Sequence, residues 1–315
     1  MTGEWPMELR RTAAWLLLIV AVIAPATASA EERIKAVATF SILGDLVRQV
    51  GGERVAVTNL VGPDADTHSF SPSPDDARRL AGADIVFVNG LGFEGWIERL
   101  IRASGTRAPV VVASSGAKTI AGSRDHADHG HDHVPGSLAD SHDDPHAWQS
   151  VANAKLYVAA IRDGLSRIDA AHAAGYAENA RAYSEKLDAL DAEIRATISE
   201  IPEARRRIIT THDSFGYYTQ AYGLRFVAPQ GLSTDSEAGP RDVARIIRQI
   251  RQQKIPAVFL ESIADPRLME QIARESGARV GGRIYSDALS AADGPAPGYI
   301  EMMRANLRAF REALG

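Results

Sequence analysis

Short apolar runs alternate with helix-like segments along most of this chain, and this alternation constrains the fold more than any other feature. Runs such as Asp84–Asn89 and Pro109–Ala113 consist almost wholly of apolar residues. Continuous apolar runs of this length are typical of strands that are buried on both faces of a parallel sheet. Strands that alternate with helices predict an α/β fold. The predicted strands are Lys35–Thr39, Arg54–Val61, Asp84–Asn89, Pro109–Ala113, Arg207–Thr211, Leu224–Ala228, Ala257–Leu260 and Arg279–Tyr285.

Residues 149–202 interrupt the alternation, because they predict helices only. The helices are Gln149–Ile168 and Ala173–Glu200, and Pro202 follows the second. In Ala173–Glu200 apolar side chains recur every three or four residues, which predicts one buried stripe. At 1.5 Å per residue this helix is roughly 40 Å long, about the size of a small domain. We therefore expect two Rossmann-like α/β lobes with central parallel sheets, joined by one long rigid helix. A helical hairpin inside a single domain is the alternative.

The N-terminus predicts export. Two arginines precede an apolar run, Ala13–Ala24, and an A-S-A motif at 28–30 provides a cleavage site, as in a secretory signal peptide. The run is too short for a convincing membrane span. The predicted organisation is a signal peptide at 1–30, an N-terminal α/β lobe at 31–148 with a His-rich loop at 117–143, a helical segment at 149–202 and a C-terminal α/β lobe at 203–315.

Composition narrows the classes of partner and ligand. The formal net charge of −5 argues against nucleic acid or an anionic membrane as a partner. The chain contains no cysteine, so we expect no lipid anchor at the cleavage site and a periplasmic protein. Any metal site must then rely on nitrogen and oxygen ligands.

Histidine is concentrated in one stretch. Residues 123–148 contain six of the nine histidines together with six carboxylates, a density that suits zinc or another borderline divalent cation. A solvated polar loop without a function is the alternative, since the signal is compositional. Residues 117–143 offer little to bury, so disorder without metal is expected. Five histidines could bind zinc loosely and pass it to a main site: His126, His129, His131, His133 and His142.

Four other groups follow predicted strands. Ligands of parallel sheets bind at the carboxyl ends of the strands, so groups from both lobes could meet in the cleft between them. Three neutral imidazoles and one carboxylate would complete a four-coordinate site. Each residue alone also has a plainer interpretation, a buried hydrogen-bonding histidine or, for the aspartate, a helix N-cap. The four residues are His68, His146, His212 and Asp287.

The motifs around these residues resemble those of a known family. His68 lies in DADTHSFSPSPDDARRL, His146 in DDPHAW, His212 in THDSFGYY and Asp287 in YSDALS. From about residue 34 onward the chain resembles the cluster A-I metal-binding solute-binding proteins of zinc and manganese ABC transporters, and it is most similar to the zinc members of the ZnuA and AztC type. In the family signature D-P-H-x-Y-x-P-x-P-x-D, the chain has threonine for the first proline and phenylalanine for the tyrosine. These departures leave the ligand in place and concern only the geometry of the neighbouring loop and a contact of the tyrosine hydroxyl.

This resemblance implies a fold, a site and a function. It implies two α/β lobes joined by a long helix, with His68, His146, His212 and Asp287 as metal ligands. Manganese members typically have an acidic third ligand, so His212 favours Zn²⁺. The implied protein is a monomer that captures periplasmic zinc and delivers it to an ABC transporter membrane permease, and a periplasmic zinc donor protein is a further candidate partner. A closed four-ligand site leaves no position for an activated water, so we expect no enzyme.

Other functions and supporting residues stay open at this stage. A zinc hydrolase would need an open coordination position and a neighbouring base, and no H-E-x-x-H pair occurs. A zinc buffer or chaperone without a transporter, or a manganese-binding homologue, would carry the same ligands. Carboxylates that could orient the ligands are Asp66, Asp144, Asp213 and Glu261. Aromatic residues that could either exclude water from the site or pack in the core are Phe70, Trp148 and Phe215.

Overall fold

Two four-stranded parallel sheets form the centre of the computed structural model, which describes residues 32–122 and 143–315. The first sheet has the strand order β2-β1-β3-β4 and the second the equivalent order β6-β5-β7-β8. The predicted two-lobed α/β fold is therefore confirmed. The strands are β1 Ile34–Ala38, β2 Val55–Asn59, β3 Ile85–Val88, β4 Val110–Val112, β5 Arg207–Ile209, β6 Arg225–Val227, β7 Ala257–Glu261 and β8 Arg279–Ile284.

Helices cover these sheets, and one of them begins with a complete capping signal. The helix Pro74–Ala81 begins with proline after Ser73, and the Ser73 and Asp76 side chains form a reciprocal capping box with the backbone. The helices are α1 Ser41–Gly51, α2 Pro74–Ala81, α3 Ile97–Ser104, α4 Val151–Ile168, α5 Ala173–Glu200, α6 Gly216–Tyr222, α7 Pro240–Gln253, α8 Arg267–Ser276 and α9 Tyr299–Leu314.

One helix is absent from the sequence prediction. The sequence predicts no helix between β3 and β4, yet α3 fills that connection. It has eight residues, so its apolar positions Ile97, Leu100 and Ile101 cover two turns and give a weak periodic signal. Gly105, in the left-handed region at φ 64°, ends the helix and is the clearer marker.

The long helix α5 contacts both lobes. All seven members of its apolar stripe, from Tyr176 to Ile198, are buried. It packs against α1 and α4 on one side and against α6 and α9 on the other. The helix is therefore part of the hydrophobic core along its whole length and joins the lobes as the sequence predicts.

Hydrogen bonds join the segment after β8 to the first lobe. The Ser286 carbonyl accepts bonds from Trp148 Nε1 at 2.9 Å and Gln149 Nε2 at 2.8 Å. The backbone N–H of Tyr299, at the start of α9, donates to Asp45 Oδ2 of α1 at 2.8 Å. Burial raises the pKa of Asp45. These bonds fix residues on both sides of Asp287 against the first lobe.

The ends of the His-rich loop are ordered against the core, although the sequence predicts little to bury between residues 117 and 143. Ala121 forms an antiparallel bridge with Asp143, and the Ile120 N–H donates to Tyr217 Oη at 3.4 Å. Ala117 and Ile120 pack on the core. The predicted signal peptide at 1–30 and the five loop histidines (His126, His129, His131, His133 and His142) lie outside the described residues. Within the described ranges, no helix is long and apolar enough to cross a bilayer.

The α5 stripe leads to a stability prediction. Leu187 is fully buried in that stripe, so Leu187→Ala should lower the free energy of unfolding by about 2–5 kcal/mol through lost burial and a residual cavity. Lys186→Ala, at the exposed neighbouring position, should change it by no more than about 0.5 kcal/mol. Chemical denaturation of the metal-free proteins measures both values. Equal effects of the two substitutions would contradict the buried packing of α5.

Candidate metal centre

Four side chains meet in the cleft between the two lobes. Each lies on a segment that follows a strand, two in the first lobe and two in the second, as the sequence predicts. Their candidate ligand atoms all lie within 4.8 Å of one another. The four residues are His68, His146, His212 and Asp287.

Four separations between candidate ligand atoms are close to those expected in one coordination tetrahedron. Asp287 Oδ2 lies 3.0 Å from His212 Nε2 and 3.4 Å from His68 Nε2. Asp287 Oδ1 lies 3.8 Å from His146 Nε2, and the Nε2 atoms of His68 and His146 are 3.3 Å apart. Zinc bonds of about 2.0–2.1 Å in a tetrahedron place neighbouring ligand atoms roughly 3.3–3.4 Å apart. The arrangement therefore fits a single ion at its centre.

Unsatisfied buried atoms support the same conclusion. Within the described residues, His212 Nε2 and both carboxylate oxygens of Asp287 are buried without a hydrogen-bond partner. The side chains of His146, His212 and Asp287 are fully buried, and that of His68 is 4% exposed. Buried polar atoms without a partner cost free energy. A divalent cation bound by all four residues would remove that cost.

Glu261, the last residue of β7, orients His212. Its Oε2 accepts a bond from His212 Nδ1 at 2.5 Å, and its Oε1 accepts from the backbone N–H groups of Thr211 at 2.7 Å and His212 at 3.0 Å. Ser286 Oγ donates to Oε2 at 2.9 Å. A carboxylate on Nδ1 directs Nε2 at the metal and raises its basicity. Glu261 thus holds both His212 and the residue that precedes Asp287.

Asp144 performs the same task for His146. Its Oδ1 lies 2.7 Å from His146 Nδ1 and accepts the His146 backbone N–H at 2.9 Å. The second lobe in turn holds Asp144, because Tyr217 Oη donates to the Asp144 carbonyl at 2.7 Å. Gly216 lies so close that an added Cβ would be 2.5 Å from Asp144 Oδ2. The first residues of α6 therefore set the position of a carboxylate in the first lobe.

The loop that carries His68 depends on Asp66. Asp66 Oδ1 accepts the His68 backbone N–H at 2.9 Å, and its Oδ2 accepts from Thr234 Oγ1 of the second lobe at 2.6 Å. Trp96 Nε1 donates to the Thr67 carbonyl at 2.9 Å. These bonds fix the loop at the position where the family signature has proline. Asp66 acts on the backbone of the loop, and its hydrogen bonds within the described residues go to the loop and to Thr234 rather than to the His68 ring.

Two further sequence interpretations, for Asp213 and Asp287, are not confirmed by the structure. Asp213 donates its backbone N–H to the Gly231 carbonyl at 3.0 Å, and within the described structure its side chain does not contact a ligand ring. The N-cap interpretation of Asp287 is wrong, because no helix follows it before α9. Asp144 and Glu261 are therefore the predicted carboxylates that orient ligand rings.

Charge and burial determine the protonation of the site. Burial lowers the pKa of His68. Burial also acts to lower the pKa of His212, but the charges of Glu261 and Asp287 outweigh it and hold that pKa well above its usual value. Burial acts to raise the pKa of Asp287, yet His212 and His146 hold it well below its usual value. Asp287 is therefore a carboxylate, the form that binds a cation.

Aromatic rings exclude water from the first-lobe side of the site. The Trp148 ring centroid lies 5.4 Å from that of His146, and Phe93 lies 4.7 Å from His68 and 5.9 Å from His146. The sequence prediction includes Trp148 and omits Phe93. The sequence signal that could have found Phe93 is the glycine pair Gly90 and Gly92, which follows β3 directly and marks a turn; in the structure both glycines and Leu91 have positive φ.

The remaining two aromatic candidates pack in the core. Phe70 lies against Trp96 with a centroid distance of 4.9 Å. Phe215 stacks on Phe226 at 4.6 Å. Core packing, the alternative that the sequence left open for them, is thus their role.

Comparison with known proteins gives consistent matches over almost the whole chain. Residues 36–313 match the family described as ZnuA, zinc-uptake complex component A, periplasmic. The iron-binding protein YfeA of Yersinia pestis is 32% identical over 284 residues, which cover 90% of this chain and 87% of that protein. The manganese-binding lipoprotein MntA of Halalkalibacterium halodurans is 32% identical over 307 residues, 95% and 97% of the two chains. The periplasmic zinc-binding protein TroA from Treponema pallidum superposes with a TM-score of 0.80 at 27% identity and covers 90% of this chain and 100% of that chain.

A cleft between two lobes that closes around one divalent cation defines a metal-binding solute-binding protein. The chain belongs to the ZnuA family of such proteins, which serve ABC importers. Membership of this non-enzymatic family confirms the prediction that the chain is not an enzyme. The relatives are named for iron, manganese and zinc, so membership shows a divalent metal site without showing which metal.

The contact between α6 and Asp144 can be tested by adding one methyl group. Gly216→Ala should displace the Asp144 carboxylate, loosen His146 and lower metal affinity by about 10- to 100-fold. Gly175→Ala in α5, where an added Cβ meets nothing within 4 Å, should leave affinity unchanged. Competition with a metal chelator measures both. Unchanged affinity in Gly216→Ala would show that Asp144 does not position His146.

Proposed function

We propose that this protein captures Zn²⁺ in the periplasm and delivers it to the membrane permease of an ABC importer. The observation that carries the proposal is the ligand set, three imidazole nitrogens and one carboxylate whose ligand atoms all lie within 4.8 Å of one another. Nitrogen-rich, four-coordinate sites suit zinc, whereas manganese prefers more oxygen ligands. The family description, a zinc-uptake component, supports the same metal.

The arrangement of the lobes supports a carrier that binds its metal without chemical change. Residues from both lobes supply ligands, so a small relative movement separates the ligands of one lobe from those of the other. Helix α5 and the bonds around Ser286 and Tyr299 oppose wide hinge motion. We propose that release follows small shear or loop movements when the protein is bound to the permease. The predicted signal peptide supports the periplasmic location. We expect the protein to be a monomer.

The metal stoichiometry tests the assigned ligands. The mature protein should hold one zinc tightly in the main site, and both His68→Ala and Asp287→Ala should lose it because each removes one of four ligands from different lobes. His172→Ala, a substitution of a half-exposed histidine beside Asp169, should retain it. Elemental analysis after dialysis against a weak chelator gives the content. Zinc that stays tightly bound in both site variants would overturn the assignment.

The third ligand tests the choice of metal. His212→Glu replaces nitrogen with oxygen, so it should lower the ratio of zinc affinity to manganese affinity by about tenfold or more. Titration of the purified protein and the variant with each metal gives the ratio. Manganese binding is the second candidate function, favoured by the name of the MntA relative. Tighter binding of manganese than zinc by the unmodified protein would establish it and reject zinc.

The five loop histidines are proposed as an auxiliary site. His126, His129, His131, His133 and His142 would raise the local zinc concentration beside the main site and would accept zinc from a donor protein. Deletion of residues 124–141 should slow zinc capture from a competing chelator and leave the equilibrium affinity of the main site unchanged. Stopped-flow capture rates, with a glycine-serine segment of equal length as the matched control, test this. An unchanged rate would leave the loop without a role in capture.

A further inference from the structure

Two arginines lie on neighbouring strands of the second sheet, at the amino-terminal ends of the strands, away from the metal site. Arg207 begins β5 and Arg225 begins β6, and they are register partners in this parallel pair. Side chains of register partners point to the same face of a sheet. The metal ligand His212 follows the opposite, carboxyl end of β5, so the two sites lie at opposite edges of one sheet.

This pair of like charges forms no ion pair with the described residues. Neither guanidinium lies within 4.0 Å of a carboxylate of the described residues. Arg207 Nη1 donates to the neutral side chain of Gln253 at 3.3 Å. Like charges at directly paired strand positions destabilise a sheet. An anion shared by the two guanidinium groups would turn this repulsion into attraction.

A third arginine and a cavity complete the arrangement. Arg206 is fixed by bonds from its Nε to the Ile201 carbonyl at 2.8 Å and from its Nη2 to the Ser199 carbonyl at 3.2 Å. Arg206, Arg207 and Arg225 line one open cavity of about 900 Å³, with the polar side chains of Thr219 and Gln253. Glu203 is its single acidic lining residue. The lining thus carries three positive charges and one negative charge.

The cavity lies in the basic part of an acidic protein. Residues 203–315 contain sixteen Lys and Arg against thirteen Asp and Glu, although the whole chain has a net charge of −5. Helix α7 ends at the cavity with Gln253, and its exposed positions Arg248 and Arg251 and the following Lys254 extend the positive surface. The chain as a whole is therefore negatively charged, which argues against anionic partners, whereas its second lobe has an excess of positive charge.

We propose that this cavity binds a phosphate group. Paired guanidinium forks match the several oxygens and the double charge of phosphate, and they do so better than a single lysine would. The volume far exceeds that of one phosphate ion, so the group can belong to a larger molecule. Free phosphate and the phosphate of a lipid headgroup share this chemistry, and the experiment separates them.

The test uses the full mature chain with zinc bound, so that phosphate does not compete for the metal. Calorimetric titration with inorganic phosphate is compared among the unmodified protein, Arg207→Gln, Arg225→Gln and Glu203→Gln. Each arginine variant should weaken binding by about tenfold or more, because it removes hydrogen bonds to a charged group. Glu203→Gln should strengthen binding, since it removes the opposing charge. The matched control is Arg99→Gln, which replaces an exposed arginine of α3 in the first lobe and should leave phosphate binding unchanged.

Vesicle sedimentation gives the second arm, with phosphatidylcholine alone or mixed with phosphatidylglycerol. Saturable binding of inorganic phosphate that depends on Arg207 and Arg225 supports the proposal, with free phosphate as the ligand. If inorganic phosphate does not bind, but the protein sediments with vesicles only when phosphatidylglycerol and Arg225 are both present, the proposal is supported with a lipid headgroup as the ligand. Absence of both, or an equal loss in Arg99→Gln, overturns the proposal. Unchanged zinc content and circular dichroism in every variant ensure that lost binding does not reflect lost folding.

Discussion

The contact that the metal site depends on most is made by Ser286, the residue before Asp287. Its carbonyl accepts bonds from Trp148 and Gln149 of the first lobe, and its hydroxyl donates to Glu261 of the second. One residue therefore joins both lobes and stands beside a metal ligand. Because Glu261 also holds His212, the two ligands of the second lobe form one hydrogen-bonded unit. That unit is attached to the first lobe before any metal binds.

The site concentrates charge, which His212 and His146 balance in this structure and a bound cation would balance in their place. Asp287 is buried without a hydrogen-bond partner among the described residues, and its pKa lies well below the usual value. Desolvation of a carboxylate costs several kcal/mol unless it is paired. Packing of the core around α5 and the buried sheets stabilises the fold and offsets this unfavourable free energy. Metal binding removes the cost, so the ion stabilises the closed arrangement of the lobes.

Much of this structure could be predicted from the sequence, for identifiable reasons. The strand β3, with the sequence IVFV, is a continuous buried apolar run, and all eight strands overlap segments that the sequence predicts. The seven-residue stripe of α5 spans enough turns to be unambiguous. The four ligands were predictable because the carboxyl ends of parallel strands converge. Helix α3 was not, because two turns give little periodicity.

The supporting groups of the site were harder to predict. Ser286 and Phe93 are ordinary residue types. Their roles arise from contacts with residues that are 25 to 138 positions away in sequence and that meet only after folding. The Asp66 carboxylate was predicted as a partner of a ligand ring, but it bonds to loop backbone and to Thr234. Sequence reveals which groups can bind a metal. It does not reveal which groups hold them in place.

The position of α6 has a consequence for how the metal leaves. Tyr217 and Gly216, in the second lobe, set the position of Asp144, and Asp144 orients the first-lobe ligand His146. In the release proposed above, a movement that takes the second-lobe ligands away from the ion would also withdraw Tyr217 and Gly216 from Asp144, so His146 would lose its alignment in the same movement. The loss of one pair of ligands would thereby weaken the other pair.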